Sequence, residues 1–128
     1  MPLTSDYTND KFDIDLDYGK KFEKHLEEVF KDGKRVEVKT ERNIWKTTGN
    51  IAIEVQSRNE DSGLTTTQAD YWIHLLADND KIKGGFIFPV DELKKKVKTM
   101  FKEGKAQMKD GGDDYTSRLV LLPIKELF

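Results

Sequence analysis

The stretch Val36–Gln56, VEVKTERNIWKTTGNIAIEVQ, constrains the fold most, because its apolar and polar residues alternate with a period of two rather than 3.6. Such a pattern can bury one face only as part of a sheet. Two runs, separated by an Arg42–Asn50 connection that ends in the turn-like TTGN, read as antiparallel strands. Val36 and Val38 then share the core face with Ile51, Ile53 and Val55, and Glu37, Lys39, Glu41, Ala52, Glu54 and Gln56 share the other. Facing glutamates cost a few tenths to about 1 kcal/mol per pair unless a positive charge lies between them. In an antiparallel pair, Glu37 or Glu41 comes beside or diagonal to Glu54, close enough for the carboxylates to grip one divalent cation. The plainer alternative is a solvated strand face that Lys39 neutralises.

The flanking segments complete an alternating layout. Asp17–Phe30 carries Tyr18, Phe22, Leu26, Val29 and Phe30 at helical spacing, with Asp32-Gly33 as a stop. RNEDSG after the second strand is a loop, TTTQAD forms a helical turn, and YWIHLLA is a strand in which His74 is structural. A turn at Asn79–Lys81 leads to the strand GGFIFPV, closed by Pro89. Asp91 then caps a helix over DELKKKVKTMFKEG, whose core side is Leu93, Val97, Met100 and Phe101. Lys109–Asp114 reads as a flexible tip, SRLVLLPI as a last strand and KELF as a tail. The fold class is therefore α/β (α+β), a mixed central sheet flanked by helices.

Length and composition narrow the chemistry. A chain of 128 residues suits one domain, 1–128, of which 1–16 is an acidic N-terminal segment. No apolar run approaches the length of a membrane span, and the acidic start is unlike a signal peptide, so a cytoplasmic location is expected. With no cysteine, thiol nucleophiles and thiolate zinc sites are excluded, two isolated histidines, His25 and His74, argue against a histidine-rich metal site, and any metal is expected to be bound by oxygen. The net charge of −2 neither demands nor excludes nucleic acid, but Lys94, Lys95, Lys96, Lys98, Lys102 and Lys105 cluster on one predicted helix, most simply as its wet side.

A helix carrying GKKFE at Gly19–Glu23, then acid-bearing strands, then TTTQ and an aromatic strand, resembles the PD-(D/E)XK nuclease superfamily between about Asp17 and Pro89. VEVKTE, TGNIAIE and ADYW together look like a small phage-encoded group within it. The resemblance implies a restriction-endonuclease-like core and a metal-dependent endonuclease that hydrolyses DNA phosphodiester bonds with Mg²⁺ or Mn²⁺. By that resemblance Glu37, or else Glu41, is the first strand acid, and Glu54-Val-Gln56 occupies the acid-x-lysine position. Glu23 is the helix acid, and Gln68 matches a glutamine that some members carry after the lysine strand.

Two departures stand out: Gln56 replaces the lysine, and a glutamate replaces the preferred first aspartate. A neutral glutamine positions water but supplies no charge, so Lys39, on the face of Glu37 and Glu41, is a candidate for a migrated lysine. A second alignment takes Glu37-Val-Lys39 itself as the acid-x-lysine element, with Asp32 upstream. Arg42, Lys46 and Arg58, in loops beside the proposed site, are expected to contact DNA, and Trp45 to stack on a base or wedge a duplex. A homodimer is implied by resemblance alone. A catalytically inactive nucleic-acid-binding or interaction module of the same fold is the alternative.

Overall fold

The computed structural model describes residues 10–33 and 35–128, and the chain divides into two compact units at the Arg35–Val36 junction. The first unit contributes one helix, α1 (Asp10–Asp32). It begins earlier than Asp17, and acidic residues are the type that the positive end of a helix tolerates best. The rest of the acidic N-terminal segment lies outside the described residues. Tyr18 and Phe22, one turn apart, meet edge to face with ring centroids 4.8 Å apart. Gly33 stops the helix as expected: its φ of +67° is the left-handed conformation that closes a helix C-terminus.

The second unit holds every strand among the described residues and is mixed α and β. Its elements are β1 (Val36–Arg42), α2 (Trp45–Thr48), β2 (Asn50–Ser57), β3 (Glu60–Asp61), β4 (Tyr71–Asp78), β5 (Lys81–Pro89), α3 (Val90–Lys102), β6 (Gln107–Gly111) and β7 (Ser117–Pro123). Single 3₁₀ turns lie at Gly63–Thr65, Asp113–Tyr115 and Ile124–Glu126. A mixed sheet orders its strands β1-β4-β5, and an antiparallel sheet orders its strands β3-β2-β7-β6.

The expected hairpin between the first two strands does not form. β1 pairs in parallel with β4, Val36 opposite Tyr71 through Arg42 opposite Ala77. β2 pairs instead with β7, setting Ile51 opposite Leu122 and Ile53 opposite Val120, all four buried. Burying a Val, Leu or Ile side chain gains about 1.5–3 kcal/mol, a return that the paired isoleucines, leucine and valine of β2 and β7 realise. The connection between them is a helical turn, α2, that ends on Gly49 at φ +71° and carries the chain from one sheet to the other.

One core serves both sheets and α3: Trp72, Leu76 and Phe88 from the mixed sheet, Ile51, Ile53, Val120 and Leu122 from the antiparallel one, and Leu93, Val97 and Met100 from the helix. Phe101, expected in this core, is 38% exposed, because the spacing 93, 97, 100 already fills the inward stripe. Asp91 lies in the first turn of α3 rather than capping it, since Pro89 takes the cap position. The supposed tail buries Leu127 completely. Where a flexible tip was expected, β6 pairs with β7 as a polar edge strand, a composition that guards an open sheet edge at the expense of a strand signal. Among the described residues, no helix is long and apolar enough to cross a membrane.

Candidate functional site

Residues opposed across paired strands point to the same side of a sheet, so the β4 partners of β1 reveal where its acids point. Glu37, Lys39 and Glu41 lie opposite Trp72, His74 and Leu76, all three of which are buried. The charged face of β1 is therefore the inner one. Val38, expected in the core, is on the outer face and 51% exposed. On the charged face Glu37 and Lys39 remain 37% and 46% exposed, whereas Glu41 is only 17% exposed.

Glu41 is built into the structure. Its Oε1 accepts hydrogen bonds from the Ala52 backbone N–H at 2.5 Å and from His74 Nε2 at 2.9 Å. The tautomer follows from the chain of donors. Trp72 Nε1, which can only donate, lies 3.1 Å from His74 Nδ1, so Nδ1 accepts and Nε2 carries the proton given to Glu41. Ala52 lies on the stretch of β2 that has no strand on the side away from β7, because β3 covers only Gln56 and Ser57. The Glu41 carboxylate thus takes the place of a missing strand and ties the mixed sheet to the antiparallel one. His74 is structural, as expected, and Glu41 is the partner that a buried imidazole requires.

Glu54 is held differently. Ser62 Oγ donates to one carboxylate oxygen and Ser117 Oγ to the other, each at 3.0 Å. Ser117 comes from β7, and Ser62 from the loop after β3, which Gly63 brings so close that a Cβ there would lie 2.1 Å from the Glu54 carbonyl oxygen. Two hydroxyls orient the carboxylate without exhausting it, since an ionised carboxylate has about four lone-pair sites. The register of β2 against β7 shifts between Glu54 and Gln56, and Gln56 lies half-buried level with Arg118 and Asp61.

Lys39 Nζ approaches Glu37 Oε1 at 3.8 Å, so an acid and a cation stand side by side on one strand, both open to solvent. Glu23 is exposed on α1, and Asp32 is that helix's last residue. Among the expected DNA contacts, Arg42 is exposed beside a cleft shared with Lys81, Arg58 occupies the β2–β3 turn at φ +52°, and Gln68 is exposed ahead of β4. Lys46 is committed to Asp78 at 2.8 Å. Trp45 is not a protruding tip: it packs against the core, and its indole N–H donates to the Ala77 carbonyl at 2.8 Å.

Among the described residues, no three His, Cys, Asp or Glu side chains form a group that could hold a metal ion. Mg²⁺ in phosphoryl-transfer sites is commonly bound by one or two carboxylates, with substrate phosphate and water completing the shell. Sequence reading missed Ser62 and Ser117, which carry no pattern of their own, and the role of Glu41, which the lone polar His74 in a buried strand face could have signalled. Comparison with protein-family models, with curated proteins and with solved structures finds no match.

Proposed function

We propose that the protein is a metal-dependent endonuclease hydrolysing DNA phosphodiester bonds on a restriction-endonuclease-like core. The observation that carries the reading is the Glu37-Val-Lys39 pair, a carboxylate and an ammonium 3.8 Å apart on an accessible strand face. This favours the literal acid-x-lysine alignment, with Lys39 rather than Gln56 supplying the positive charge. Glu37 and the serine-oriented Glu54 are the residues that would hold Mg²⁺ or Mn²⁺, and Glu41 is withdrawn from that set by its bonds to His74 and Ala52. When bound, such an ion neutralises phosphate charge and makes water more acidic.

The chain's own residues account for the rest. Lys39 faces charge that develops on the phosphoryl oxygens, a contribution of the kind worth about 10²–10³ in rate when removed from other sites. Gln56 can orient water but cannot share that charge. Ser62 and Ser117 hold the Glu54 carboxylate in one orientation. Arg42 and Arg58 are suited to contact the DNA backbone.

Supercoiled plasmid incubated with Mn²⁺ tests the proposal. Wild type should nick it, and Glu54→Ala and Lys39→Met should lose at least about 10²-fold of that rate while keeping the wild-type melting temperature. Metal-dependent nicking that survives Glu54→Ala rejects the site. Retardation of DNA without cutting would favour the second reading, a binding module, which the neutral Gln56 supports.

A further inference from the structure

A cleft of about 620 Å³ opens where β2 begins and β7 ends, lined among others by Trp45, Lys46, Asn50, Pro123, Ile124 and Lys125. That volume lies within the range of small-ligand sites. Two features give it a chemical character. Trp45 packs on the core and spends its only hydrogen-bond donor on the Ala77 carbonyl, so it offers the cleft a fixed aromatic surface and no polar group. Lys125 is exposed at the rim, with no ion pair among the described residues, whereas Lys46 is held by Asp78. The walls are pre-set: Ile124 N–H donates to the Gly49 carbonyl at 2.8 Å, joining the end of α2 to the segment after β7.

A rigid π surface without a donor, next to an unpaired ammonium, selects a flat ring that carries an anion. The geometry points to this cleft as a binding site for an unpaired nucleotide, its base stacked on Trp45 and its phosphate met by Lys125. Stacking of this kind tolerates any base and needs the base out of a duplex, so the site favours single-stranded over paired DNA. The inference takes its ligand class from the function proposed above and stands on different residues.

Fluorescence anisotropy of a labelled oligo-dT strand measures binding directly, with dTMP, thymidine and inorganic phosphate as competitors. Saturable binding should weaken at least about 10-fold in Trp45→Ala and only about threefold in Trp45→Phe. Lys125→Glu should weaken it and flatten its dependence on salt by about 0.7 in log–log slope. In wild type, dTMP should compete better than either thymidine or inorganic phosphate, a comparison that holds even if a Trp45 variant fails to fold. Oligo-dT binding at least about 10-fold tighter than dTMP assigns the site to a strand, and equal affinities assign it to a free nucleotide. Absence of binding, inorganic phosphate competing as well as dTMP, or a folded Trp45→Ala that binds normally each overturns the proposal. The nicking assay run alongside keeps the two ideas apart. Trp45-dependent binding without nicking rejects hydrolysis alone, and nicking with binding indifferent to Trp45 rejects this site alone.

Discussion

Replacing Glu41 by alanine tests whether its carboxylate is structural, with Glu37 as the control. The substitution strands the Nε2–H of His74, a side chain only 1% exposed, and a buried donor left without an acceptor costs about 1–3 kcal/mol. It also removes the acceptor of the Ala52 N–H at the half-buried β2 edge, where water can substitute in part, adding about 0.5–1 kcal/mol. The sum, about 1.5–4 kcal/mol, is a large fraction of the 5–15 kcal/mol typical of a whole domain. For a chain of this size it lowers the melting temperature by roughly 5–20 °C.

Glu41→Gln retains an oxygen acceptor and loses only the charge, so about 1 kcal/mol is expected. Glu37→Ala removes an exposed ion pair at 3.8 Å and should change stability by less than about 0.5 kcal/mol. Thermal and urea melts of the three variants, without added metal, make the comparison. An acid whose only task was to bind a metal would cost nothing when removed from the metal-free protein. If Glu41→Ala melts within about 2 °C of wild type, or no lower than Glu37→Ala, the argument that Glu41 joins the two sheets fails.

Two further substitutions probe the surroundings of the site. Gly63→Ala forces a Cβ to within 2.1 Å of the Glu54 carbonyl oxygen at a φ of +55°, whereas Gly104→Ala, at φ +72°, meets nothing within 4 Å. Gly104→Ala should cost about 1–2 kcal/mol of backbone strain and Gly63→Ala clearly more, with lower melting temperatures reading out the difference. Lys105, hydrogen-bonded to Glu103 and then to Glu126, is held protonated above its ordinary pKa of 10.5. Its contribution is complete below the ordinary pKa and is lost as pH rises through the raised one, so the small stability gap between wild type and Lys105→Met should close at strongly alkaline pH.

Much of the element order was readable because its signals are local. The Tyr18–Phe30 stripe, the left-handed Gly33, the aromatic strand at Tyr71 and the 93, 97, 100 spacing of α3 each need only nearby residues to be recognised. The polar strand Gln107–Gly111 was missed for the converse reason: an exposed edge strand needs no apolar alternation, and its partner, β7, supplies the pairing.

Strand pairing carried the error that mattered for the site. Period-two alternation in Val36–Arg42 identified two faces but not which of them turns inward, since either assignment satisfies the same pattern. Taken alone, a strand of valines and glutamates calls for the valines to be buried. Its parallel neighbour overrules that demand, because His74 and the backbone of β2 need a hydrogen-bond acceptor on the inner side and Glu41 provides it. The same inversion carries Glu37 and Lys39 onto the inner face, toward the open end of the strand, where they are not sealed in as Glu41 is. The two glutamates of β1 thus divide by depth: Glu41, the more buried, holds the sheets together, and Glu37 stays open to solvent beside Lys39.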